Sequence, residues 1–153
     1  MEMALNDSSD EISFIRKKKV EEMLKRLALS QQKDKLSAMP IIDHANSKNF
    51  SFKVIERSTI LPVLVDFYAN WCMPCIMLSP ILERVVRAEK GKIALVKVNI
   101  DESPSLTETY NVMSIPALKL FKDRKIIAER IGFVSEQQLK YWIEKALQKC
   151  RKQ

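Results

Sequence analysis

Leu61-Pro62-Val63-Leu64-Val65-Asp66-Phe67-Tyr68-Ala69-Asn70-Trp71-Cys72-Met73-Pro74-Cys75 is the stretch on which the reading of this chain turns. Residues 61–68 form a compact apolar run, the pattern of a strand buried on both faces. One member, Asp66, breaks that run. The second half places Cys72 and Cys75 where the strand has ended and a helix begins. A Cys-x-x-Cys in that position is a redox arrangement with a mechanical reason. The first turn of a helix presents unsatisfied N–H groups and a partial positive charge, and both favour a thiolate. Cys72 stands at the lip and reads as the nucleophile. Cys75 lies one turn in, more buried and within reach of the first sulfur.

On the C-terminal side, Ile76, Leu78, Ile81, Leu82 and Val85 supply the apolar face of a helix from about 75 to 89. Pro80 is expected to kink it, because proline lacks an N–H and crowds the preceding turn. Residues 92–100 read as a second buried strand and 103–110 as a short helix with Pro104 in its first turn. Residues 117–121 and 125–131 read as a hairpin joined by Lys122-Asp123-Arg124. Ser135 caps a last helix reaching about 148. On the N-terminal side, Ile41-Ile42 reads as a short strand, and Asn46 or Ser47 caps a helix to about Arg57. The order β-α-β-α-β-α-β-β-α predicts an α/β domain with helices on both faces of one sheet and an antiparallel edge.

Residues 1–36 follow another pattern. Ser8 and Glu11 have capping-box spacing, and Ile12, Ile15, Met23, Leu24 and Leu27 recur near a 3.6-residue period among charged residues. This predicts an amphipathic helix over about 9–31 and a polar hinge over 30–37. The helix either packs on its own domain or serves as a dimerisation or partner-binding arm. The expected division is an N-terminal helical extension and linker, 1–36, and a folded domain, 37–153.

Composition narrows the chemistry. With two glycines in 153 residues, Gly91 and Gly132, a glycine-rich phosphate loop is excluded. A single histidine, His44, excludes a site built on two imidazoles. A zinc set of Cys72, Cys75, Cys150 and His44 is the rival reading of the cysteines; structural zinc ligands usually come as two close pairs, so no metal is expected. Cys150 reads as an ordinary thiol near the end of the last helix, and His44 as a surface residue. No apolar run approaches the ~18–20 residues of a membrane span. The first residues are acidic and lack an apolar signal core, so the expected location is the cytoplasm, where disulfides are mostly catalytic. The net charge of +7 falls wholly in residues 46–153. It reads as a solvated lysine-rich surface, and no stacking platform points to nucleic acid.

Residues 65–75 resemble the active-site segment of the thioredoxin family. Pro80, Lys97-Val98-Asn99-Ile100-Asp101, Ser114-Ile115-Pro116, Phe121-Lys122 and Gly132 agree with it as well, over about residues 39–149. The resemblance implies a thioredoxin fold: a central mixed β-sheet flanked by helices on both faces, here with an added N-terminal amphipathic helix. It implies a thiol–disulfide oxidoreductase that reduces protein disulfides without a cofactor. Cys72 would attack the client disulfide, and Cys75 would release the client and close a Cys72–Cys75 disulfide. Asp66 would accept the Cys75 proton, with Lys97 as its partner; desolvation raises such a carboxyl toward a useful range. The alternative is that Lys97 simply neutralises Asp66. A cis Pro116 would leave the Ile115 backbone to pair with an extended client, and Trp71, Met73 and Pro74 would complete the contact surface. The implied partners are disulfide-containing client proteins and a separate thioredoxin reductase as electron donor. A scaffold or partner-binding subunit acting through the N-terminal helix is the alternative function. Four family glycines are replaced, by Met73, Asn111, Ser114 and Arg124. Arg124 tolerates a left-handed backbone poorly, which predicts a different hairpin turn.

Overall fold

The computed structural model describes residues 2–152, with side chains described over 8–152. The chain divides into two compact units, Met1–Ala38 and Met39–Gln153.

The first unit is one helix, α1 (Glu2–Ser37). It is longer than its periodic segment at both ends. Ser8 therefore lies inside the helix instead of capping it, and the expected hinge over 30–37 is helical. The reason is composition: residues 31–36 include Gln31, Gln32, Lys33, Lys35 and Leu36, all good helix formers, with no Gly or Pro to stop the chain. Polarity alone does not end a helix. Val20, Met23, Leu24 and Leu27 remain exposed along it.

The second unit begins with β1 (Ile42–Ala45). The helix expected to reach Arg57 is a π-helical segment, Ser51–Glu56, that tightens into a 3-10 turn, Arg57–Thr59. Over so few residues an apolar period does not distinguish these windings from an α-helix. Then follow β2 (Val63–Tyr68), α2 (Met73–Ala88), β3 (Ala94–Asn99), α3 (Pro104–Thr109), β4 (Ala117–Lys122), β5 (Lys125–Ile131) and α4 (Glu136–Arg151). Ser135 caps α4 with a reciprocal box: its hydroxyl accepts from Gln138 N–H, and the Gln138 side chain accepts from Ser135 N–H.

The strands form one five-stranded sheet in the order β1-β3-β2-β4-β5. β1 and β2 run parallel to β3, β4 is antiparallel to β2, and β5 is antiparallel to β4. Strand alternation sorts the core into two layers. Leu64, Leu95, Leu118 and Leu120 pack with α2 and α4 on one face. Val63, Val65, Phe67, Val96 and Val98 pack with Phe50, Val54 and Leu106 on the other. Asp66, two residues from Leu64, therefore projects toward the α2 side.

The β4–β5 turn departs from expectation. Asp123 and Arg124 both take left-handed backbone, with φ of 51° and 69°. The Ser58 hydroxyl accepts Arg124 N–H at 2.8 Å, the Ser58 carbonyl accepts Asp123 N–H at 2.8 Å, and the Arg124 guanidinium pairs with Glu56 at 2.9 Å. Tertiary bonds from the 3-10 turn and the π-helical segment before it thus hold a conformation that the residue type disfavours.

Candidate active site

The buried strand β2 ends at Tyr68, and the chain crosses Ala69, Asn70 and Trp71 to reach α2. Cys72 is the N-cap of that helix, with extended backbone, and its sulfur accepts the Cys75 N–H at 3.3 Å. Pro74 occupies the first turn, where a missing N–H costs nothing. Cys72 and Cys75 are joined in a disulfide with their Cα atoms 5.3 Å apart. Both are nearly buried, Cys75 more deeply, and Ala69, Tyr68, Ile100 and Ile115 pack around them.

Ile115 reaches the pair from the loop before β4, and the Ile115–Pro116 peptide bond is cis. The Pro116 carbonyl accepts Gly132 N–H at 2.8 Å, which ties this loop to the residue after β5. Trp71 is 69% exposed, and its indole N–H donates to Asp101 Oδ2 at 2.9 Å. Asp101 is itself oriented through its N–H, which donates to Asn99 Oδ1. Met73 is 64% exposed beside the disulfide in sequence. These side chains give the pair an apolar surround open to solvent on one side.

A cleft of about 440 Å³ lies beside Cys75. Cys75, Ser79, Pro80 and Glu83 line it from α2, Asp66 and Tyr68 from β2, Lys97 from β3 and His44 from β1. Asp66 is almost wholly buried, and its Oδ1 has no hydrogen-bond partner among the described residues. Burial raises its carboxyl to about pH 7, partly opposed by the charge of Lys97. No ion pair joins Lys97 to Asp66 among the described residues. Lys97 donates instead to Ser79 Oγ at 2.5 Å and to Glu83 Oε1 at 2.9 Å. The Glu83 carboxyl is held below its ordinary range, first by that bond from Lys97.

Sequence reading did not single out Ser79, Glu83 or Asp101. A signal for the first two existed. Cys75, Ser79 and Glu83 follow at four-residue intervals and so share one helix face. A lysine in a buried strand also needs an acceptor. His44 lies in β1, opposite Lys97, with its ring in a T-shaped arrangement with Tyr68 at 6.4 Å between centroids. Cys150 lies in α4 as a free thiol. Among the described residues no group of three or more His, Cys, Asp or Glu is placed to hold a metal, and no helix is long and apolar enough to cross a membrane.

A disulfide-bonded cysteine pair at the N-terminus of a helix, over a buried carboxyl on a mixed sheet, makes this a thiol–disulfide oxidoreductase. The family model for thioredoxin matches residues 41–145. The chain is 41% identical to the thioredoxin of Rickettsia felis over 102 residues, 67% of this chain and 97% of that protein. It is 42% identical to the thioredoxin of Alicyclobacillus acidocaldarius over 87 residues, 57% of this chain and 83% of that one. Against thioredoxin C-2 of Corynebacterium nephridii it is 36% identical over 103 residues, 67% and 94% of the two chains. The chain belongs to the thioredoxin family.

Proposed function

We propose that the chain works as a reductant of protein disulfides, with residues 37–153 as the catalytic domain and 1–36 as an extension. The Cys72 thiolate attacks one sulfur of a client disulfide, forming a mixed disulfide and releasing the other client sulfur as a thiolate. Cys75 gives its proton to the Asp66 carboxylate and attacks Cys72 Sγ. The Cys72–Cys75 disulfide forms, and the second client thiolate leaves. Two electrons pass from the dithiol to the client, and a separate thioredoxin reductase returns them. A reducing compartment such as the cytoplasm suits this direction of flow. Trp71, Met73, Pro74, Ile115 and Pro116 form the surface against which the client lies, with Lys97 setting the charge near Asp66.

The observation that carries this reading is the buried Asp66 carboxyl, its Oδ1 without a hydrogen bond among the described residues, in the cleft that Cys75 also lines. A base with a pKa near the working pH combines the right protonation state with driving force. Reduction of insulin disulfides by dithiothreitol tests it: the wild type accelerates precipitation of the freed chains, and a wild type without effect overturns the proposal. Cys75→Ser should accumulate clients on Cys72, and mass spectrometry identifies them. The apolar side chains exposed on α1 favour a second role as a partner-binding arm. Removal of residues 1–36 should then leave insulin turnover intact while abolishing an association that the full chain makes.

A further inference from the structure

Lys97 on β3 lies opposite Asp66 on β2 in the parallel register. An ammonium beside an unpartnered buried carboxyl would ordinarily pair with it, since charge-assisted bonds are the strong ones. Here the ammonium is committed elsewhere, to Ser79 Oγ and Glu83 Oε1. Both acceptors stand on the face of α2 that also carries Cys75, and Asp66 Oδ1 is left without a hydrogen bond among the described residues. We propose that Ser79 and Glu83 form a clamp that holds the Lys97 ammonium off the Asp66 carboxyl, so that Asp66 stays free to take the Cys75 proton.

The inference rests on the proton-acceptor role proposed above for Asp66. Ser79 and Glu83 are positioning residues that act through Lys97. The titratable groups around the carboxyl are His44 from β1, Tyr68 from β2, Cys75 and Glu83 from α2, and Lys97 from β3. Glu83 is held in its charged form by the bond it accepts, so the clamp stays closed in the pH range where Asp66 changes charge.

The test is a carbon-13 titration of the Asp66 carboxyl in the full-length oxidised protein, read by NMR. In Ser79→Ala/Glu83→Ala the freed ammonium moves to Asp66, and the midpoint falls by about one pH unit, a tenfold weaker hold on the proton. Loss of the Glu83 charge alone could lower the midpoint through space, so the pair is repeated in Lys97→Met. The clamp requires that the fall disappear when the ammonium is absent. An unchanged midpoint in Ser79→Ala/Glu83→Ala, or an equal fall in the Lys97→Met background, overturns it. The pH profile of insulin turnover is measured on the same variants. A midpoint that falls without moving that profile upholds the clamp and removes Asp66 from the proton path. Ser79 and Glu83 are both partly exposed, so their loss leaves the core intact.

Discussion

Lys97 and Lys119 invite comparison. Each lies nearly buried on an interior strand, and each pairs with a glutamate, at 2.9 Å for Glu83 and 2.6 Å for Glu129. Lys119 on β4 finds its partner directly across the ladder, because Glu129 is its register neighbour on β5. On its other side stands Val65, which makes no claim on the charge. Lys97 has an acid as its register neighbour and takes its partner from a helix instead. A buried charge is tolerated once paired, whatever the pair does. The sheet thus holds one lysine whose pairing completes a ladder and another whose pairing leaves an acid uncompensated.

The contrast predicts a ranking of effects. Cys72→Ser, in the Lys97 region, stands at the top, since a hydroxyl cannot form the mixed disulfide. Insulin reduction should drop to the uncatalysed background, and retained turnover would mean that the chemistry lies elsewhere. Asp66→Asn follows, with turnover at pH 7 reduced about 100-fold, the ordinary yield of a positioned base. The same substitution should change stability with the opposite sign. Burial raises the folded carboxyl to about 7, well above the ordinary carboxylate range near 3.8, so the folded chain holds a proton that the unfolded chain gives up. Stability from this group is full below the unfolded value and is lost as pH rises through about 7, a loss of about 4 kcal/mol at most. Urea unfolding at pH 5 and pH 8 should show wild type weakening with pH, while Asp66→Asn weakens less and is the more stable of the two at pH 8.

Met73→Ala comes next. Met73 is mostly exposed at the lip of the pair, and half-burying its side chain under a client is worth about 1 kcal/mol. The KM for a protein disulfide should rise about fivefold with kcat little changed, the mark of lost uniform binding. A fall in kcat at constant KM would assign Met73 to the chemistry instead.

Much of this was legible in the residues. The apolar run 61–68 and the Cys72/Cys75 spacing gave the central strand and the helix start, because burial and end effects act over a few residues. Asp66 announced itself as a polar residue in an apolar run. The partner of Lys97 was harder to see. It depends on which of two acids the ammonium reaches, and that is decided by the height of α2 over the sheet. Arg124 was misread for a related reason: its left-handed backbone is held by Ser58, 66 residues away in the chain. The ends of α1 were misjudged because a polar stretch was taken for a helix stop. Short-range chemistry was readable, whereas choices settled by distant partners were not.

Glu129→Gln should have the smallest effect and is the sharpest test of the contrast. Glu129 is more than half exposed, so its ion pair is screened and worth about 1 kcal/mol or less. Glutamine keeps an oxygen in place to accept from the Lys119 ammonium, which limits the penalty of leaving a buried cation unsatisfied. Neither Lys119 nor Glu129 lines the cleft that holds Asp66. The urea midpoint should therefore shift only slightly, and the pH profile of insulin turnover should superimpose on that of wild type. Glu83→Ala, which removes the same single charge and also the oxygen that holds the Lys97 ammonium, should move the profile to lower pH. If the two substitutions moved it equally, a diffuse change in protein charge would govern the carboxyl, and the placement of Lys97 would not.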